Sequence, residues 1–289
     1  MTATPARIAA LATLRATRHG ELADRALFRA LHEVPARDRG WTHELAYGTL
    51  RLRGRLDHFL VPHVRRGLDR LDAEVLDILR LGVYQLVEMT SVPPYAAVSQ
   101  SVELARSSGN ARAAAFVNGV LQSVTRAPDR AKFPAFDDDA VGHLETWGSH
   151  PRWLVSRWVA QLGAGEAAAL VEANLRRPEL YLRPVGRTVG DAVAVLDDAA
   201  IRARPVDGAP DALQLLDGGI AETLAAVPAI VQDPAAGLVA RFVAPPAGAR
   251  LFDLCGAPGG KAIALADCGT GSRVIAADLS IGRVARLVE

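Results

Sequence analysis

Arg250-Leu-Phe-Asp-Leu-Cys-Gly-Ala-Pro-Gly-Gly-Lys261, followed after a helical pattern by Arg273-Val-Ile-Ala-Ala-Asp278, decides how this chain is read. The order is strand, glycine turn, helix, strand, acid. Glycines after a first strand let the backbone approach a ligand, and the N-terminus of the next helix offers unpaired N–H groups. An acid ending the second strand, about 20 residues on, stands where a nucleotide ribose presents its hydroxyls. The pattern therefore predicts a site for a nucleoside-containing cofactor.

Three cofactor classes compete for it. A P-loop needs four residues between its first Gly and the Gly-Lys pair, then a hydroxyl for Mg²⁺. Here only Ala257, Pro258 and Gly259 separate Gly256 from Gly260, and Ala262 has no hydroxyl. The dinucleotide fingerprint G-x-G-x-x-G is absent as well, which disfavours a nicotinamide-dependent oxidoreductase. S-adenosylmethionine remains. Against it stands the plain reading of a glycine turn without function.

The segment Asp253-Leu-Cys-Gly-Ala-Pro-Gly-Gly-Lys261 resembles the cofactor motif of the RNA cytosine-5 methyltransferases, usually D-L-C-A-A-P-G-G-K, departing from it at Gly256. The resemblance implies that Cys255, Gly256, Ala257, Pro258, Gly259, Gly260 and Lys261 surround the methionine and ribose of S-adenosylmethionine. It also implies that Asp278 accepts from the ribose hydroxyls. In that family a cysteine of a P-C motif adds to C6 of an extruded cytosine, and a second cysteine, in a T-C motif, assists product release. The cysteines of this chain, Cys255 and Cys268, follow Leu254 and Asp267, so no catalytic nucleophile is assigned. The chain accordingly reads as a truncated methyltransferase whose last domain ends in mid-helix.

The 289 residues suit two or three globular domains with aliphatic cores, since half are hydrophobic and aromatics are scarce. No apolar run approaches the 18 or so residues of a spanning helix. The cysteines form no C-x-x-C or Cys/His array, so neither a disulfide framework nor a metal site is expected. A reducing, cytoplasmic setting, no membrane contact and a monomer are the matching expectations. Arg7, Arg15 and Arg18, with no acid among the first twenty residues, read as an opening surface helix.

Charge is uneven. Residues 1–130 hold 18 Arg and no Lys against 13 acids, a balance of +5, while the remainder carries −4. The amino-terminal part is therefore the expected polyanion surface. Arg51, Arg53 and Arg55, with Arg65 and Arg66, are candidate RNA-phosphate contacts; the ordinary alternative is a solvated helix face.

Residues 4–126 read as helices throughout. Val75, Leu76, Leu79, Val83, Leu86 and Val87 recur at helical spacing behind Asp72 as N-cap, marking the central helix of a bundle. Ala97, Val98, Val102 and Leu104 mark another after Val92-Pro93-Pro94, and Ala114, Phe116, Val117, Val120 and Leu121 a last one. Tyr47, Tyr84 and Tyr95 read as core residues with one wet end. The stretches His43–Arg51, Leu79–Leu86, Val92–Ala97 and Phe116–Leu121 resemble the NusB-like RNA-binding domain that opens the RsmB-like, small-subunit rRNA branch of the same family. Gln122 and Ser99-Gln100-Ser101 depart from its usual residues.

Pro128, Pro134 and Asp137-Asp-Asp139 predict a linker over 131–150. Beyond it, Trp153, Leu154, Trp158 and Leu162 mark a helix and Glu166 to Leu175 a second, the tryptophans forming a packing seam. Leu180–Val185 reads as a strand, Gly190–Ala200 as a helix and Ala212–Leu216 as a strand. Val231-Gln-Asp-Pro-Ala-Ala-Gly237 resembles the family's turn entering the catalytic domain, where it leads into the cofactor cleft; Asp233-Pro234 equally reads as a helix cap and first turn, the preferred reading.

The expected architecture is multidomain: an all-α NusB-like bundle (1–130), the linker (131–150), a small α+β, RRM- or ferredoxin-like domain (151–235), and an incomplete Rossmann-like α/β methyltransferase domain (236–289). The resemblance implies S-adenosylmethionine-dependent methylation of cytosine C5 in 16S ribosomal RNA. The alternative is a non-catalytic NusB-like RNA-binding protein.

Overall fold

The computed structural model describes residues 2–107 and 111–287. It divides into two compact units, Met1–Arg176 and Arg177–Glu289.

The first unit opens with α1 (Pro5–Arg18), α2 (Ala23–Ala30), α3 (Ala36–Arg51), α4 (Arg53–Leu60), α5 (Ala73–Val87), α6 (Pro94–Ser107) and α7 (Ala111–Arg126). Asp72 starts α5 as expected, its carboxylate accepting from the N–H groups of Glu74 and Val75. Ile78, Leu79, Leu81 and Val83 are fully buried, and the helix packs against α1, α3, α4, α6 and α7. This is the bundle's central element.

The first helix is not a surface helix. Ala6, Ala9, Ala10, Leu11 and Leu14 are buried, and Arg7 donates through Nε to Gln85 Oε1 of α5 at 2.7 Å while its guanidinium lies over the Trp41 ring. Small alanine side chains let α1 approach α2 and α3 closely, a packing that an arginine count does not register. Gln100, one of the residues departing from the NusB-like pattern, is buried and accepts from Thr4 N–H at the start of α1.

The tyrosines divide. Tyr84 is buried and donates to Glu44 Oε1 at 2.6 Å, and Tyr47, half-buried, donates to Asp24. Burial, together with the Asp24 carboxylate, raises the Tyr47 phenol to about 12. Tyr95, by contrast, is 76% exposed, so it is not a core residue. It sits in the first turn of α6, outside the helix's buried positions Ala97, Val98, Gln100, Ser101, Leu104 and Ala105.

Residues 131–150 carry regular structure. Phe133 packs on His58, Phe59 and Trp147, and Asp139 caps α8 (Ala140–Thr146) by accepting from Gly142 N–H at 2.8 Å. With α9 (Arg152–Leu162) and α10 (Ala164–Leu175), α8 encloses a small core of Leu144, Val155, Ala167 and Val171. Trp158 packs on that core, but Trp153 is 68% exposed, so one tryptophan and not two forms the seam.

The second unit runs β1 (Leu180–Pro184), α11 (Val189–Asp198), β2 (Ala203–Val206), β3 (Ala209–Leu215), α12 (Ile220–Ala226), β4 (Ala229–Val231), α13 (Pro234–Val243), β5 (Arg250–Asp253), α14 (Gly260–Cys268), β6 (Arg273–Ala276) and α15 (Ile281–Val284). One sheet has the antiparallel order β2-β3-β1-β4, with Leu180 opposite Leu215 and Leu182 opposite Val231. Its core joins Leu182, Leu213 and Leu215 to Ala192 and Leu196 of α11. Asp233 caps α13, as read from the sequence, accepting from Ala235 N–H at 2.8 Å. The other sheet is the parallel pair β5-β6, joined through α14.

Candidate functional site

The glycine turn lies between β5 and α14. The strands pair in register, Arg250 with Arg273 and Asp253 with Ala276, and Ala277 N–H continues the ladder to Asp253 O at 2.8 Å. Gly256 N–H then donates to Ala277 O at 2.8 Å, folding the turn back over the end of β6. This close approach requires glycine: a Cβ on Gly256 would stand 2.8 Å from the Ala276 methyl. Gly259, at φ 111°, occupies the left-handed region that precedes α14.

The first turn of α14 has neither a side-chain cap nor an acid. Its leading N–H groups therefore remain available, with the positive end of the helix dipole behind them. Lys261 is exposed in that turn, Pro258 is exposed and Ala257 half-buried. Cys255 is exposed, its backbone N–H donating to Asp253 Oδ1 at 3.2 Å. Asp278 lies just past β6, partly exposed, with Oδ1 accepting from Ser280 N–H at 3.0 Å. One βαβ unit thus gathers all eight candidate cofactor residues. It offers donors at the helix start and a carboxylate at the second strand's end.

Two residues of this neighbourhood were not singled out from the sequence. Gln232, just after β4 and buried, places its Nε2 beside Gly260, where a Cβ would come within 3.0 Å. Arg183 of β1 is buried and forms an ion pair through Nη2 with Asp267 of α14 at 3.0 Å. Both tie the four-stranded sheet to α14. Gln232 lies in the Val231–Gly237 stretch that resembles the family's turn into the cofactor cleft, although spacing alone marks it only as a helix start. An arginine facing inward from a strand leaves no such trace at all.

The candidate RNA-contact arginines separate in the structure. Arg55 is buried and committed internally: Nε donates to Trp147 O at 2.7 Å, Nη1 to Glu88 Oε1 at 3.0 Å, and the guanidinium lies 4.1 Å from the Trp147 ring centroid. Arg51 is half-buried in the last turn of α3. Arg53 is exposed and borders a concavity of about 100 Å³ with Arg18, Asp77 and Arg80. There Asp77 accepts from Arg18 at 2.6 Å and Arg80 at 3.1 Å. Burial pushes its carboxyl above the ordinary value in spite of both cations. Arg65 and Arg66 are exposed in the loop after the turn Val61–His63. Only Arg65 of these borders the larger groove described below.

Comparison with known proteins places these parts. The NusB family matches residues 4–126, and the ferredoxin-like domain of the RsmF/B-like methyltransferases matches residues 150–220. The chain is 35% identical over 243 residues to a probable ribosomal RNA small subunit methyltransferase B of Bacillus subtilis, an overlap covering 82% of this chain and 53% of that one. It is 31% identical over 271 residues to the ribosomal RNA small subunit methyltransferase B of Escherichia coli O1:K1, covering 89% of this chain and 59% of that one. The chain thus spans little more than half the length of these relatives. The crystal structure of PH0851 is similar in fold, with a TM-score of 0.73 at 19% identity over all of this chain and 66% of that one.

Proposed function

We propose that the chain belongs with the small subunit ribosomal RNA methyltransferase B proteins, since a NusB-family match is followed by a match to the RsmF/B-like ferredoxin-like domain, and that it serves S-adenosylmethionine-dependent methylation of ribosomal RNA. The observation that carries this reading is the βαβ unit whose glycine turn closes on Ala277 and whose second strand runs into Asp278. The residues present fit a nucleoside cofactor. Gly256 leaves no room for a side chain, Gly259 turns the backbone into an uncapped helix start, and Asp278 has the acceptor that ribose hydroxyls need.

In this reading the backbone from Cys255 to Lys261 holds the methionine and ribose, and Asp278 orients the ribose. The cofactor, when bound, supplies an electrophilic methyl group. The α/β unit is proposed as part of a Rossmann-like methyltransferase domain, with cytosine C5 of 16S ribosomal RNA as the acceptor. Neither Cys255 nor Cys268 has the sequence context of the family's nucleophile, so the chain's own residues are assigned to holding cofactor and RNA, not to attack on the base. The same observation keeps a non-catalytic RNA-binding protein as the second reading.

Titrating the full chain with S-adenosylmethionine, and separately with a 16S ribosomal RNA fragment, divides the two. Binding of both is expected, and Asp278→Ala should weaken the cofactor at least several-fold, since hydrogen bonds to a charged group contribute about 1.5–3 kcal/mol. RNA binding without cofactor binding would leave the second reading standing alone. Unchanged cofactor affinity in Asp278→Ala would remove that carboxylate from the site.

A further inference from the structure

We propose that the groove between the Val61–His63 turn and α7 is a subsite for single-stranded RNA, in which Arg65, Arg126 and Arg130 hold phosphates and Phe116 receives a base. The inference rests on the reading of the chain as RNA-directed and gives that reading a place on the bundle.

The groove is open, measures about 380 Å³, and has three arginines on its border with no carboxylate among its described lining residues. Among the described residues, none of the three guanidinium groups has a carboxylate within ion-pair distance. The bundle's Arg18, Arg55 and Arg80, whose side chains are buried or partly buried, stand in contrast. All three are taken up by Asp77, Glu88 and Asp57. Arginines left unpaired around one concavity are available to phosphate oxygens, which their planar donors match.

Phe116 marks the groove as more than a patch of charge. Sequence periodicity places it with Ala114, Val117, Val120 and Leu121 in the core, yet those four are buried and Phe116 is 38% exposed on the groove. An exposed ring beside guanidinium groups is what a single strand uses, because each unpaired base has a face to stack. A duplex hides those faces, and an acidic peptide has no use for the ring.

The floor is polar as well. His63 borders the groove, with Nδ1 2.8 Å from Ser123 Oγ, while its Nε2 is buried without a hydrogen-bond partner. Gly119 keeps α7 low between Phe116 and Ser123, where a substituent would meet no protein atom. Four of these residues, His63, Phe116, Arg126 and Arg130, lie outside the arginine stretches that charge counting selects.

The test measures fluorescence anisotropy of a labelled single-stranded 16S ribosomal RNA oligonucleotide with the full chain over a range of salt. In Arg65→Gln/Arg126→Gln/Arg130→Gln the slope of log affinity against log salt should fall by about 2, from about 0.7 per phosphate on a single strand. Phe116→Ser should weaken binding several-fold with the slope kept. Arg25→Gln/Arg37→Gln, on the exposed sides of α2 and α3, should leave both quantities unchanged. Crosslinking with 4-thiouridine RNA should label residues 62–65 and 116–130. If the wild-type chain binds RNA and the triple variant keeps its slope, or the crosslinks fall elsewhere, the groove is not the subsite although the RNA reading survives. If the wild-type chain binds no RNA, the functional reading itself fails. Preference of the wild-type groove for a poly-glutamate peptide over RNA would overturn the assignment in favour of an acidic protein partner.

Discussion

Gly256 carries the departure of this chain from the cofactor motif it resembles, and the reason lies across the sheet. The Ala276 methyl stands where a Cβ at position 256 would come, 2.8 Å away, with the Ala276 Cα and Asp253 Cγ both at 3.3 Å. Backbone on both sides is fixed by the Gly256–Ala277 and Ala277–Asp253 hydrogen bonds, so neither residue yields without breaking the turn. Gly256→Ala should therefore weaken cofactor binding and lower the melting temperature of the full chain. Adding Ala276→Gly removes the opposing methyl and should restore much of both, leaving the cost of a second strand glycine. Calorimetry and cofactor titration on the single and double variants check this. A single variant that behaves as wild type would mean that the turn relaxes freely, and the close approach would lose its significance.

Among the elements, α4 shows how misleading an arginine-rich stretch is when read alone. Its N-terminus is capped from far along the chain: Ser149 Oγ accepts from Gly54 N–H at 2.9 Å, and Arg55 holds Trp147 O and the Glu88 carboxylate. The helix is thereby fastened to the end of α8 and the end of α5. Arg55→Ala removes two charge-assisted bonds and the stacking on Trp147, and should destabilise the first unit by about 3–6 kcal/mol, at about 1.5–3 kcal/mol for each bond to a charged group. RNA affinity at temperatures where the variant is folded should be unchanged. Arg65→Ala should do the reverse, and urea melts paired with anisotropy distinguish them. The elements legible in the sequence were those with periodic burial or a capping side chain. The central α5 behind Asp72, the strand from Leu180, α11 and the Asp233 cap all came from such signals. The edge strand β2 was not legible, because Ala203–Val206 contains a proline and has no alternation, and β4 is three residues long. The turn of the candidate site was legible because glycine spacing is itself the geometric requirement. The groove was not, since its residues come from a turn, a helix and the segment after it.

At the scale of the whole chain, the two units differ in how much they bury. The bundle core runs continuously from Ala3 to Val124 through α1, α3, α4, α5, α6 and α7. The sheet core of Met1–Arg176's companion unit is a cluster of seven buried residues. In that second unit Phe252 and Ile275, on the strands of the candidate site, remain 67% and 55% exposed. Apolar burial is the main favourable term in folding, so the second unit should yield first to denaturant. The chain carries the means to see this. Trp41, Trp147, Trp153 and Trp158 are its four tryptophans, and all lie in the first unit, so their fluorescence is silent about the second. Far-ultraviolet circular dichroism reports helices and strands of both. Urea titration should accordingly give an early dichroic change with flat fluorescence, followed by a larger transition seen by both probes, which is the signature of unfolding that is not two-state. S-adenosylmethionine at saturating concentration should move only the early change to higher urea, because a ligand stabilises the unit that binds it. Coincident curves without cofactor would mean that the two units melt as one. A cofactor shift confined to the fluorescence transition would put the ligand on the bundle and remove it from the glycine turn.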